Sequence, residues 1–208
     1  MLVFACFSPH PPLLLPEIGS LADREKVKKT LDSLAVLKEK LAEKKPEAIL
    51  ISSPHQDWGF NVPLRLLAPS FSGGIKKYQT GTEPPRFYFE AGRKTYNNLL
   101  HSAGFGINRR LAVIGSGDLS HCLRLDGPYG FHPDGPKFDE TLIEFLKEKN
   151  LEGILKLNEN FSEAAECGLR SFAFILGILK ESLLDWEPEI LSYEGPFGVG
   201  YLVANFKF

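Results

Sequence analysis

The chain has 208 residues, 43% of them hydrophobic and 24% charged, with a formal net charge of -2. That length is ample for one sizeable core, and the balance excludes a disordered chain and gives no electrostatic reason to expect nucleic acid as a partner. No apolar run reaches membrane-spanning length, the first segment lacks a basic leader and is broken by prolines, and three separated cysteines suit a reducing cytoplasm rather than a disulfide framework.

In chain order, LVFACFS reads as a buried strand that delivers His10 into the turn SPHPP. Proline fixes its own backbone and pushes the residue before it toward extended conformations, so Pro9, Pro11 and Pro12 mount His10 stiffly. DREKVKKTLDSLAVLKEKLAEKK places Val27, Leu31, Leu34, Leu37 and Leu41 at helical spacing and predicts one amphipathic surface helix. PEAILISSPH returns as a second apolar strand running into His55, which gives the opening a βαβ form with a right-handed parallel crossover. VPLRLLAPS reads as a further strand, FSGGIKKYQTGTEPPR as a loop, and YFEAGRKTYNNLLHSAGF as a helix closed by Gly104.

RRLAVIGSGDLSH repeats the first pattern, a short apolar strand delivering His121 into a turn. Pro136 is placed to open the helix KFDETLIEFLKEK, and LEGILKLN predicts a short helix after it. SEAAECGLRSFAFILGILKESLL is apolar on nearly every face, the mark of a helix inside the fold, with Glu166 in its first turn. EILSYEGPFGVGYLVANFKF closes the chain as two strands that add to the sheet. No linker or repeat divides residues 1–208, so the expectation is one three-layer α/β domain, a central mostly parallel sheet with helices on both faces.

Open α/β sheets bind ligands at the carboxyl ends of their parallel strands. His10, His55 and His121 all follow strands, so parallel strands would bring the three to one edge. Neutral imidazole is a common metal ligand, and two histidines with one carboxylate leave open positions at a non-haem Fe(II) centre. Glu166 is the best carboxylate candidate, although an acid near a helix N-terminus is also favoured by the helix dipole alone. Asp118 either orients His121 or satisfies a turn; Arg170 pairs with Glu166 or with a substrate anion; His132 either approaches the cleft or is a loop histidine. His101 suits a dipole partner at a helix end. GSG at 115–117 lacks the G-x-S-x-G pattern, which argues against a serine hydrolase.

The segments SPHPPLLLPEIG, SSPHQDWG, SGDLSHCL with GPYGFHPDGPKFDE, ECGLRS and YEGPFGVGYLVA together resemble the catalytic chains of the class III extradiol ring-cleavage dioxygenase superfamily. They resemble especially its small prokaryotic members of uncertain substrate, and more distantly the Memo proteins. The likeness runs from Met1 to Phe208 in matching order. It implies Fe(II) held by His10, His55 and Glu166, with His121 as acid/base toward a catechol-like or aminophenol-like substrate and O2. It leaves one alternative ligand: Memo-type proteins carry a cysteine at the glutamate's place, and here Cys167 stands beside Glu166, the preferred ligand. Cys167 is otherwise explained as a small buried hydrophobe. A Memo-like metal-binding or partner-binding protein without turnover, and a Zn2+-dependent hydrolase, are the competing readings. Larger relatives have longer inserts and work with a small lid-forming partner chain, so the expected partners include such a chain or a second copy of this one, but neither nucleic acid nor membrane.

Overall fold

The computed structural model describes residues 1–101 and 109–208. Six strands form one sheet: β1 (Leu2–Ser8), β2 (Ala48–Ser53), β3 (Gly74–Gln79), β4 (Leu111–Ser116), β5 (Glu187–Glu194) and β6 (Tyr201–Lys207), in the order β3-β2-β4-β1-β6-β5. β3, β2, β4 and β1 run parallel, β6 is antiparallel to β1, and β5 is antiparallel to β6.

Side chains alternate across a strand, and here both faces are covered. Ala48, Leu50, Leu111, Val113, Leu202 and Ala204 face one core. That core is filled by α4 (Pro85–His101), α5 (Asp134–Lys147), the short α6 (Leu151–Ile154) and α7 (Leu157–Asn160), and α8 (Leu169–Glu181). Ile49, Ile51, Ala112, Ile114, Tyr201 and Val203 face the other, which is closed by α2 (Lys28–Glu43) and α3 (Trp58–Leu67). The expected three layers are present. In α8 every residue from Ser171 to Leu179 is buried, as its all-round apolar sequence requires. Phe172 stacks on Phe7 of β1 with ring centroids 4.1 Å apart, locking α8 to the sheet.

Several expectations are corrected. The single N-terminal helix is two, α1 (Leu21–Lys26) and α2, broken at the buried Val27. Glu194 of β5 accepts hydrogen bonds from the Thr30 backbone N–H (2.7 Å) and hydroxyl (2.6 Å), capping α2 as a separate helix. VPLRLLAPS is not a strand: Val62 to Leu67 form the second half of α3, where Val62, Pro63 and Leu67 are buried. The loop-like GGIKKYQT contains β3, an exposed edge strand whose lysines discourage further pairing. α5 begins two residues before Pro136, which its first turn tolerates because those N–H groups have no helical partner. α8 begins at Leu169, so Glu166 precedes the helix rather than lying in its first turn. Gly104 lies outside the described residues. Among the described residues no helix is long and apolar enough to cross a membrane.

Candidate metal centre

β2, β4 and β1 are neighbours, so the turns leaving their carboxyl ends meet. The chain steps outward from β1 to β2 and β3, then returns to insert β4 between β2 and β1, and this reversal opens the crevice where α/β sheets take ligands. His10 enters from β1, His55 from β2, and Asp118 with His121 from β4. A fourth contributor is the segment ahead of α8. Its Gly168 N–H donates to the Asp118 carbonyl (2.9 Å), and the Asp118 N–H donates to Cys167 Sγ (3.3 Å). This approach needs glycine: a Cβ on Gly117 would lie 2.2 Å from the Gly168 Cα.

The result is two overlapping donor groups, His10 with His55 and Cys167, and Asp118 with His121 and Cys167, each with its ligand atoms within 4.8 Å of one another. His10 is 5% exposed, whereas His55 is exposed and forms the open side. The two imidazoles meet edge to face, with centroids 5.1 Å apart.

The orientation of His10 follows from its neighbours. α3 contains Pro63, which has no N–H for the carbonyl of Gly59 four residues earlier. The Ser116 hydroxyl donates to that carbonyl instead. With its hydrogen committed, the Ser116 oxygen accepts from His10 Nδ1, 3.0 Å away. Nδ1 therefore carries the ring proton, and Nε2 keeps its lone pair toward Cys167 Sγ, at 3.7 Å. Asp118 fixes the same residue from the other side, its Oδ1 accepting the His10 backbone N–H at 3.1 Å.

Burial decides the charges. It lowers His10 to about 3, with His55 adding to the effect, so this imidazole is neutral. Burial also lowers His121, against the pull of Asp118. It raises Asp118 to about 6, against the His10 N–H bond, and pushes the Cys167 thiol well above its ordinary value, with Asp118 reinforcing the shift. Two neutral imidazoles beside a thiol and an acid suit a divalent cation, whose uptake would release the thiol proton. His121 Nδ1 is buried with no hydrogen-bond partner, a second sign that the chain alone leaves this cluster unsatisfied.

The remaining candidates lie elsewhere. Glu166 is not among the donor groups: its Oε2 accepts from Leu169 N–H (2.6 Å) and its Oε1 from Arg170 (3.2 Å), a cap on α8. Arg170 thus pairs with that acid and also donates to the Glu83 carbonyl. His132 turns to its own backbone, Nδ1 accepting from Asp134 N–H at 3.2 Å. Asp118 makes its hydrogen bond to the His10 backbone rather than to His121, although it shares a donor group with His121. Sequence reasoning missed Ser116, although β1, β2 and β4 all end in serine, a repeat that marks the three turns as equivalent.

Protein CA_C1420 of Clostridium acetobutylicum is 34% identical over an alignment 265 positions long, gaps included, that covers 96% of this chain and 56% of that protein, so the chain spans little more than half its length. The crystal structure of an uncharacterized protein, JW3007 of Escherichia coli K12, superposes with a TM-score of 0.64 at 17% identity, covering 98% of this chain and 99% of that one; it shares the fold. Residues 55–204 match the family described as the catalytic LigB subunit of aromatic ring-opening dioxygenase. With well over half of its length matched, the chain belongs to that family.

Proposed function

We propose that the chain binds a divalent transition metal through His10, His55 and Cys167 and opens a catechol-like or aminophenol-like ring with O2. The observation that carries the reading is the convergence of His10, His55 and Cys167, their ligand atoms within 4.8 Å of one another, in a chain of the ring-opening family. Non-haem Fe(II), when bound there, supplies the redox chemistry with O2 and positions at which both reactants meet.

The chain's own residues do the rest. Ser116 holds His10 in the tautomer whose Nε2 faces inward. His121, neutral through burial, takes a proton from a substrate hydroxyl and returns it to the product, so the enzyme ends in its starting protonation state. Tyr129, edge-on to the His121 ring at 5.7 Å and largely exposed, offers an aromatic flank at the mouth. Both oxygen atoms of O2 enter the product, so no external reductant is required.

A specific observation favours a second reading. Cys167 occupies the donor group where the resemblance to ring-cleaving enzymes implies Glu166, and a thiolate suits softer ions such as Zn2+ or Cu(I). On that reading the chain binds metal without turnover, as Memo-like proteins would. The test is purification under anaerobic conditions, metal analysis, and O2 uptake by Fe(II)-loaded protein with catechol and 2-aminophenol. Stoichiometric metal, lost in Cys167→Ala and kept in Glu166→Ala, together with O2 uptake, supports ring opening. The same metal pattern without O2 uptake selects the second reading. Full metal content in Cys167→Ala overturns both.

A further inference from the structure

One acid lies wholly buried outside the donor groups. Asp139, on the inner face of α5 beside Phe138 and Leu142, is 1% exposed, and among the described residues no Lys, Arg or His forms an ion pair with it. Both of its oxygens are occupied: Oδ1 accepts from the Ser120 backbone N–H at 2.8 Å, and Oδ2 accepts from the Tyr193 hydroxyl at 2.7 Å. The chain gives this carboxyl its space at β6, where a Cβ on Gly200 would sit 2.2 Å from Oδ2. Gly200 also donates to the Ser120 carbonyl and accepts from Leu119 N–H, each at 2.8 Å. Residues 119 and 120 are therefore gripped from two sides, by α5 and by the approach to β6, and Asp118 and His121 flank that grip.

An acid buried without a cation is costly, and an apolar side chain would pack more favourably there. The cost registers as a carboxyl pushed up to about 7 by burial, against the bonds from Tyr193 and Ser120 and with Glu166 adding to the rise. Packing does not account for a group that opposes it, whereas the two hydrogen bonds do.

We propose that Asp139 is a positioning residue of the candidate centre, holding the Ser120 peptide so that Asp118 and His121 leave their loop in fixed directions. This rests on the reading that those two residues act at the centre, but its test needs neither substrate nor turnover. Metal-free protein with isotope-labelled histidine is compared with Asp139→Asn and Asp139→Leu at one pH, following the ring signals of His121, with the distant His101 as control. Asp139→Asn keeps an acceptor for Ser120 and offers its amide to the Tyr193 oxygen, so His121 stays as in the parent. Asp139→Leu makes neither bond, so the His121 signals move and broaden while His101 and the circular dichroism hold. Unmoved His121 signals in folded Asp139→Leu overturn the proposal. If Asp139→Leu does not fold, Asp139→Ala is read the same way, and failure of both beside a native Asp139→Asn assigns the acid to stability alone. Absence of O2 uptake would sink ring opening yet leave the His121 result untouched.

Discussion

The parallel and antiparallel parts of the sheet divide the labour. β2, β4 and β1 run side by side in one direction, so their carboxyl ends open onto one edge and carry His10, His55, Asp118 and His121 there. β6 and β5 contribute no donor to either group; a grip comes from Gly200, just ahead of β6, and from Tyr193 of β5. All three donor-bearing strands are buried along their length, whereas β5 is an exposed or half-buried edge. Strand direction decides which turns share an edge, and burial decides how rigidly each is presented. The candidate donors follow the codirectional strands, with Ser116 of β4 as their local support, and the antiparallel part adds a grip from outside.

This division can be broken most sharply at the donors. His10→Ala and His55→Ala should each abolish stoichiometric metal binding, measured as metal content, while circular dichroism stays native. Full metal in both variants would refute the role given to the parallel strands.

A second effect appears in the stability of the metal-free chain. The Asp139 carboxyl sits at about 7 in the folded state, against an ordinary value near 3.8, so the folded chain holds this proton more tightly than the unfolded one. Its contribution to stability is therefore highest below about pH 4, declines as the pH rises, and levels off above about 7, a fall of roughly 4 kcal/mol at most. Asp118, raised to about 6, acts in the same direction. Urea titrations across this range should show the decline, and Asp139→Asn should flatten its upper part. Stability rising from pH 5 to 7 in the parent and unchanged in the variant would contradict it.

Ser116→Ala tests the support within the parallel part. Removing the acceptor frees the His10 tautomer, and metal affinity should drop by about 10- to 100-fold with little change in melting. Tyr193→Phe, on the antiparallel side, should do the reverse: lose about 1 kcal/mol of stability and leave metal affinity within a few-fold. If Tyr193→Phe disturbs metal more than Ser116→Ala does, the division of labour is wrong.

The parts of this fold legible in the sequence are those where burial and period agree. LVFACFS, AILISS and LAVIGS are apolar up to their terminal serines and buried throughout because both faces of a parallel sheet are covered, and each announces the histidine that follows it. VPLRLLAPS misleads because a short apolar run suits a buried helix as well as a strand. GGIKKYQT hides β3 because an exposed edge strand has no apolar face to display. At the centre, three histidines are visible from their place after strands. The choice between Glu166 and Cys167 is not, since it turns on where α8 begins. With Leu169 as the first helical residue, Glu166 reaches forward to cap it and Cys167 is left facing the histidines. Asp139 carries a faint signal, an acid on the apolar stripe of Phe138, Leu142 and Leu146.

A proline inside α3 looks like a flaw in the helix, but it acts as a vacancy kept open for a neighbour. Any other residue at 63 would bring an N–H to compete for the Gly59 carbonyl that the Ser116 hydroxyl now occupies. Substitution by alanine would mend the helix and at the same time loosen the serine that sets which nitrogen of His10 is available. Selection for a more regular helix and selection for a prepared ligand thus pull in opposite directions at one position. A stabilising change far from any donor atom could in this way erode the centre without touching it.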